Sequence, residues 1–434
     1  MKNYYRIGVT NEGSLLFENP STFHGVIIGA NFAALYKNWL STFLKKLKKP
    51  YFLDPRTEVF GRELSLIQKD GYFRSSFEKL INHFDNVAKN KYFSNKLKQG
   101  KLSPDDFIIS SKPKRWNQKL INILVNGTLA LQDEILNLDS NSNKKSIKKY
   151  MKILEELDDI DDNLNKVEYL VAPYFYFPNT YSPWFEINGK LLEATIRKSK
   201  KDVFCVLCFD KEIMNNPTEI QKILTRFKKA SGFLIWINNF YEIKAEEDEL
   251  IDYINFIKKL EKTGKPIINL YGSYFSLLIS KKIDFGGYSR GIALGEGRDV
   301  DLPATGGGTP NRYYLKIIHN FVVEETIIKV LGRNPTFRCT CKICKPLVEE
   351  IIRKFKPTNN VELAMIFFKQ MKPQMFKTHF MQVHKSEIDH ILLENPNIVS
   401  ELSNEIKEVD IKRLRELDIR IIHLTRWLNS ITKT

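Results

Sequence analysis

The chain has 434 residues, 43% hydrophobic and 12% aromatic, enough apolar material for a large buried core, so global disorder is excluded. Lys and Arg number 67 against 51 Asp and Glu, and the resulting net charge of +16 is either a solubility device or the footprint of an acidic partner, nucleic acid first. No stretch reaches the ~18 uninterrupted apolar residues of a membrane span, and no charged start, apolar run and cleavage site open the sequence, so a cytoplasmic protein with no membrane partner is expected.

In chain order, Gly25-Val26-Ile27-Ile28-Gly29-Ala30 and Pro50-Tyr51-Phe52-Leu53-Asp54 are short runs that are apolar throughout. That is the pattern of strands buried on both faces of a parallel sheet, and a helix-like segment through Trp39 and Leu44 separates them. Residues 61–165 carry helical spacing, as in Phe77, Leu80, Ile81, Phe84 and Val87, without a convincing strand, which predicts a helical insertion. Within it, Asn137 to Lys145 has the composition of a loop, and the acidic run Glu155 to Asp162 that of a solvated helix face. Strand runs resume at Tyr169 to Phe177, Val203 to Phe209, Gly232 to Ile237, Pro266 to Tyr271 and Ile283 to Tyr288, with a helix over Glu246 to Glu261. Seven strands in one β/α series predict an α/β fold, a TIM-like (β/α)8 barrel, over an open doubly wound sheet.

The five cysteines are too few and too clustered for a secreted disulfide framework. Cys339-Thr340-Cys341-Lys342-Ile343-Cys344 places three soft ligands within six residues, and zinc needs a fourth donor, for which His379, His384 and His390 lie downstream. A closed site of this composition is structural. The expected organisation is then a barrel start over 1–60, the insertion over 61–165, the rest of the barrel over 166–310, a zinc-binding helical subdomain over 311–395, and a charged helical tail over 396–434.

The cysteine cluster, followed by Thr378-His379-Phe380-Met381-Gln382-Val383-His384, resembles the zinc-binding end of the tRNA-guanine transglycosylase superfamily. That superfamily includes archaeosine and queuine tRNA enzymes and DNA-acting 7-deazaguanine transglycosylases, and the DNA-acting branch is the closest in type. Ile268-Asn269-Leu270-Tyr271-Gly272-Ser273 and Lys282-Ile283-Asp284-Phe285-Gly286-Gly287 are similar to its penultimate strands, a glycine-ended strand and then a V-D-x-F-D strand. The resemblance covers residues 25–60 and 165–390 and implies a zinc-bearing (β/α)8 barrel with His379 as the fourth ligand. It also places Asp54, in Leu53-Asp54-Pro55-Arg56-Thr57, at the family's early D-S-G aspartate.

One departure bears on the chemistry. Exchange enzymes of the superfamily use the last aspartate of V-D-x-F-D as a nucleophile on the sugar, and the register puts Gly287 there, with Asp284 as the strand's earlier aspartate. Either the register differs, or Glu296, Asp299 or Asp301 substitutes, or the chain does not exchange bases. A carboxylate at Asp54, with Asp284 as a second candidate, can still stabilise an oxocarbenium-like sugar and activate water. The expected function is therefore a DNA glycosylase that excises a base, a modified one first, to leave an abasic site, with defence against phage DNA as one setting. Base exchange in DNA or tRNA is the alternative, and an inactive nucleic-acid-binding barrel the reading from another class.

Tyr176, in Tyr174-Phe175-Tyr176-Phe177, and Tyr271 are candidates to stack an extruded base, while Gly286 and Gly287 would leave it room. The Gly306-Gly307-Gly308 run matches no phosphate-loop fingerprint. Basic clusters at Lys45 to Lys49, at Lys112, Lys114 and Arg115, at Lys144 to Lys149 and at Arg197 to Lys201 would together make a phosphate-tracking surface.

Overall fold

The computed structural model describes residues 1–137, 169–292, 298–301, 311–411 and 421–434. Eight parallel strands, β1 (Lys2–Ile7), β2 (Gly25–Gly29), β3 (Tyr51–Asp54), β4 (Leu170–Val171), β5 (Val203–Asp210), β6 (Gly232–Asn238), β7 (Ile267–Asn269) and β8 (Gly287–Gly291), curl into a nearly closed barrel in chain order. β8 returns to pair with β1, Lys2 opposite Gly287 and Arg6 opposite Gly291. At the seam, β3 and β4 lie against each other without a ladder. Gln132, buried on the helix Gln118–Asn137, fills in there: its Oε1 accepts from Val171 N at 3.1 Å and its Nε2 donates to Val171 O at 3.3 Å. The side-chain amide thus replaces a missing strand partner for backbone groups that burial would otherwise leave unpaired.

The predicted barrel is present, with two differences. β1 is an additional strand, and the last strand is Gly287–Gly291 instead of a run starting at Ile283. In the Tyr169 to Phe177 stretch only Leu170–Val171 joins the ladder, plus one bridge from Phe177 to Phe209. Between these, side chains take over the backbone's hydrogen bonds. Thr57 Oγ1 donates to Tyr174 O and accepts from Tyr174 N, and Asn188 does the same for Phe175.

The barrel interior is a packed core. Tyr4, Phe52, Phe204, Val206, Cys208, Leu234, Trp236 and Ile268 fill it, with Phe52 edge-on to Tyr4 at 5.5 Å and to Phe204 at 5.3 Å. Each such buried side chain contributes roughly 1.5–3 kcal/mol of transfer free energy. The larger core lies between the strands and the surrounding helices.

The insertion after β3 contains helices Ser75–Ala88, Tyr92–Gln99 and Gln118–Asn137, as its periodicity predicts. It also contains two short hairpins, Gln68–Lys69 with Tyr72–Phe73 and Ile108–Ser111 with Lys114–Trp116, whose strands are too short to show a period. Gly127 allows the first and third helices to close on each other, since a Cβ there would sit 1.9 Å from the Phe84 ring. Residues 138–145 of the predicted loop, the acidic run Glu155 to Asp162, Lys144 to Lys149, Glu296 and Gly306 to Gly308 lie outside the described residues.

The C-terminal part opens with a hairpin, Arg312–Leu315 with Asn320–Val323, and continues in helices, among them Cys344–Phe355 and Pro373–Asp389. It docks on the outer face of β8 through buried polar groups. Tyr288 OH and His384 Nε2 are 2.6 Å apart, His384 Nδ1 and His319 Nδ1 reach the two oxygens of Glu387 at 3.0 and 2.7 Å, and Arg290 lies 4.4 Å over the Phe380 ring. The last helix, Ile422–Lys433, joins the outer layer, with Trp427 Nε1 donating to Glu242 O at 2.9 Å.

Candidate functional site

Strand parity builds the site. Side chains two residues apart share a face, so the residue two positions beyond a lumen-facing core residue also faces inward, one layer nearer the carboxyl end. Tyr4 leads to Arg6, Phe52 to Asp54, Cys208 to Asp210 and Trp236 to Asn238. A polar layer therefore caps the apolar barrel at the end where barrels of this class carry their sites.

Asp54 ends β3 and is buried. Its Oδ1 accepts from Tyr174 OH at 2.9 Å and from Arg56 N at 3.1 Å, while Oδ2 has no hydrogen-bond partner among the described residues. Burial, reinforced by the charges of Asp54 and Glu58, keeps the Tyr174 hydroxyl protonated far above its ordinary range, so it remains a donor. Arg56 adopts a left-handed conformation at φ 55°, which turns its N–H back toward the Asp54 carboxylate. A non-glycine residue held there carries about 1–3 kcal/mol of strain, and such strain gathers at sites the surrounding fold over-determines.

The Arg56 side chain extends to Glu58, with Nε donating to Oε1 at 2.8 Å. Burial raises the Glu58 pKa above the usual carboxylate range, Arg56 opposes that, and the Asp54 charge adds to the rise. For Arg56 burial works against the cation, but Glu58 and Asp54 outweigh it and the pKa rises. Arg56 and Glu58 are site residues that sequence reading missed. Their trace was the alternation Asp54, Arg56, Glu58 directly after a strand.

A cavity of about 430 Å³ opens beside Asp54, walled by Arg6, Arg56, Tyr271, Arg298 and Lys377 among others. The rest of the mouth is roofed by residues 298–301. Trp236 Nε1 donates to Arg298 O at 2.7 Å, Val300 N to Asn238 Oδ1 at 2.9 Å and Asn239 N to Asp299 Oδ1 at 3.2 Å, and Asp301 pairs with Arg62. Val300 is buried in the lumen core beneath. A second cavity of about 310 Å³, between Glu58, Lys101, Ser103, Tyr176 and Trp184, lies on the insertion side.

The sequence-predicted residues divide between the two ends of the barrel. Asp54 and Tyr271 are at the mouth, with Tyr271 under the Arg6 guanidinium at 3.8 Å. Tyr176 is there too, its hydroxyl bonded to Asp210, its ring under Arg62 at 4.9 Å and its place on the wall of the second cavity. Asp284, Gly286 and Gly287 sit at the amino end of β8, and this corrects their assignment. Asp284 is exposed with its N–H on Glu261, Gly286 O accepts from Lys2 N, and a Cβ on Gly287 would meet Lys2 O at 2.4 Å. They serve strand packing, and the carboxyl end of that strand is Gly291. Lys45 to Lys49 and Arg197 to Lys201 precede β3 and β5 and so flank the amino ends as well. Lys112, Lys114 and Arg115 are exposed on the hairpin that follows the Pro104–Asp106 turn beside the second cavity.

The ligating atoms of Cys339, Cys341, Cys344 and His379 lie within 4.8 Å of one another, a cluster able to hold a metal ion. His379 Nδ1 is 3.6 Å from Cys341 Sγ and 3.3 Å from Cys344 Sγ, near the roughly 3.5 Å that tetrahedral zinc with N and S ligands requires. His379 Nε2 donates to Tyr314 O at 2.9 Å, which turns Nδ1 to the sulfurs, and the ring stacks on Tyr313. Backbone N–H groups of Cys341 and Cys344 point to the sulfurs of Cys339 and Cys341, as suits thiolates. Of the other candidate ligands, His384 belongs to the Glu387 network and His390 bonds Glu394 and Glu401.

The fold and site define a nearly closed parallel (β/α)8 barrel with a C-terminal Cys3His cluster. Compared with known protein families and with characterised proteins, the chain matches none.

Proposed function

We propose that the chain is an enzyme that cleaves an N-glycosidic bond in DNA by hydrolysis, removing a base and leaving an abasic site. The observation that carries this reading is Asp54, a buried carboxylate at a strand's carboxyl end, with one oxygen held by two donors and the other without a partner among the described residues, beside a cavity of about 430 Å³. Glycosidic cleavage develops positive charge on the sugar, and a fixed carboxylate stabilises that charge and orients the attacking water. The cavity volume suits one extruded nucleotide. Among the described residues the only other carboxylate of the cavity wall, Glu12, already binds Gly8 N, Val9 N and Lys377, so it does not stand free to be the nucleophile that base exchange needs, which favours hydrolysis. DNA is proposed over tRNA because no RNA-binding appendage is recognisable among the described residues, while the exposed basic hairpin suits either phosphate backbone.

In this reading Cys339, Cys341, Cys344 and His379 hold zinc, with four protein ligands closing the coordination shell, so the ion supports structure. The test is excision on duplex DNAs with modified and unmodified bases, and on tRNA, with no free base supplied. Alkali-labile breaks that vanish in Asp54→Asn support the proposal. Incorporation of a labelled base, or a trapped protein–DNA adduct, overturns hydrolysis in favour of exchange. Salt-dependent binding with no cleavage of any substrate leaves a binding barrel.

A further inference from the structure

Among the described residues the charges around the Asp54 cavity do not balance. Four basic side chains, Arg6, Arg56, Arg298 and Lys377, line it with two carboxylates, Asp54 and Glu12. Lys377 is paired with Glu12 at 3.2 Å and Arg56 with Glu58 at 2.8 Å. Neither Arg6 nor Arg298 has an ion pair among the described residues. Arg6 lies flat on the Tyr271 ring at 3.8 Å and reaches Leu270 O at 3.4 Å, and Arg298 stands 5.7 Å from the Trp236 ring. Burial depresses the Arg6 pKa, Tyr271 partly restores it, and the neighbouring Arg298 and Arg56 cations depress it further. Two guanidinium groups on one cavity wall with no ion pair among the described residues, offset only by the more distant charges of Asp54 on Arg6 and Glu58 on Arg298, cost the free protein stability. A bound anion removes that cost.

We infer that Arg6 and Arg298 form a phosphate subsite, which holds a phosphate flanking the nucleotide whose sugar meets Asp54. The inference rests on the proposed function and adds the group that must accompany the sugar. Planar guanidinium forks match phosphate oxygens with two parallel hydrogen bonds, and an aromatic ring beneath Arg6 fixes its plane while leaving its edge to the cavity. β1 and β3 are two strands apart, which sets their inward-facing ends roughly 10 Å from each other. The subsite makes the cavity select nucleotides over nucleosides, and it reads no base.

Base-free probes test this without knowing the target base. Titration calorimetry on the full chain would compare 2-deoxyribose with its 5-phosphate and its 3-phosphate. At least one phosphate should bind ~10-fold or more tightly than 2-deoxyribose. Arg298→Gln, in an irregular segment, and Arg6→Gln should each erase that preference, while Asp54→Asn keeps it. Circular dichroism on each variant separates loss of the subsite from loss of the fold, and Arg298→Gln decides if Arg6→Gln does not fold. Equal binding of sugar and sugar phosphates by the wild type, or an intact preference in folded Arg298→Gln, overturns the subsite. Either result leaves the excision assay on Asp54→Asn to stand or fall alone.

Discussion

The phenol of Tyr174 donates to Oδ1 of Asp54 at 2.9 Å, from a segment that Thr57 and Asn188 pin by its backbone. Tyr174 thus sets the plane of the carboxylate and leaves Oδ2 without a hydrogen-bond partner among the described residues. Tyr174→Phe keeps the ring and removes the bond, so kcat for excision should fall about tenfold with KM nearly unchanged. Asp54→Asn should lose 10²-fold or more while DNA affinity stays within a few-fold. Steady-state kinetics on one oligonucleotide check both, and a fully active Asp54→Asn removes the mechanism.

The Cys3His cluster should bind about one equivalent of zinc per chain, measured by metal analysis of purified protein. Cys341→Ser should lower the unfolding temperature by several degrees before it affects DNA binding. A metal-free chain of undiminished stability would contradict the assignment.

The buried His319, Glu387 and His384 make stability depend on pH. Burial opposes the His319 cation, but Glu405 and Glu387 outweigh it and raise its pKa from 6.5 to about 9. Its contribution is complete below pH 6.5 and is lost as pH climbs through 9, worth up to about 3 kcal/mol. His384 behaves oppositely. Burial lowers its pKa to about 4 against the pull of Glu387, so its share is present above 6.5 and is lost as pH falls through 4. Thermal melts should show stability declining between pH 6.5 and 9, and His319→Gln should flatten that limb. A wild-type curve level to pH 9 would show that His319 is neutral in the folded protein.

Replacing Lys112, Lys114 and Arg115 with Gln should weaken binding to all DNA sequences alike and lower the salt slope by roughly one per lost phosphate contact. Charge removal at Lys45 to Lys49 should change neither, because that cluster flanks the opposite end of the barrel. Titrations across salt concentrations decide between the two surfaces.

Strands buried on both faces by apolar neighbours are legible as unbroken runs, which is why β2, β3, β5 and β6 are predicted close to where they lie. β1 and β8 are hidden because they bury polar side chains. On β8 the outward Tyr288 and Arg290 meet the C-terminal helices and the inward Gly287, Ser289 and Gly291 are small, so Gly-Tyr-Ser-Arg-Gly reads as a loop. The resulting four-residue slip carries Asp284, Gly286 and Gly287 to the wrong end of the barrel. The cysteines are legible from spacing alone, whereas the choice of His379 over His384 and His390 needed the resemblance. Arg6 and Arg298 belong to no motif, since only the barrel's closure brings residues 292 positions apart to one cavity.

Among the described residues the roof formed by residues 298–301 covers the β6 side of the mouth and leaves the Asp54 cavity open along β8, β1, β2 and β3. Traffic through the site is therefore lopsided. Under the proposed function a polymer strand would arrive across the rim that carries Lys377, on the same helix as His379 and two residues before it, so the helical segment that bears the Cys3His cluster would form one bank of the entry route.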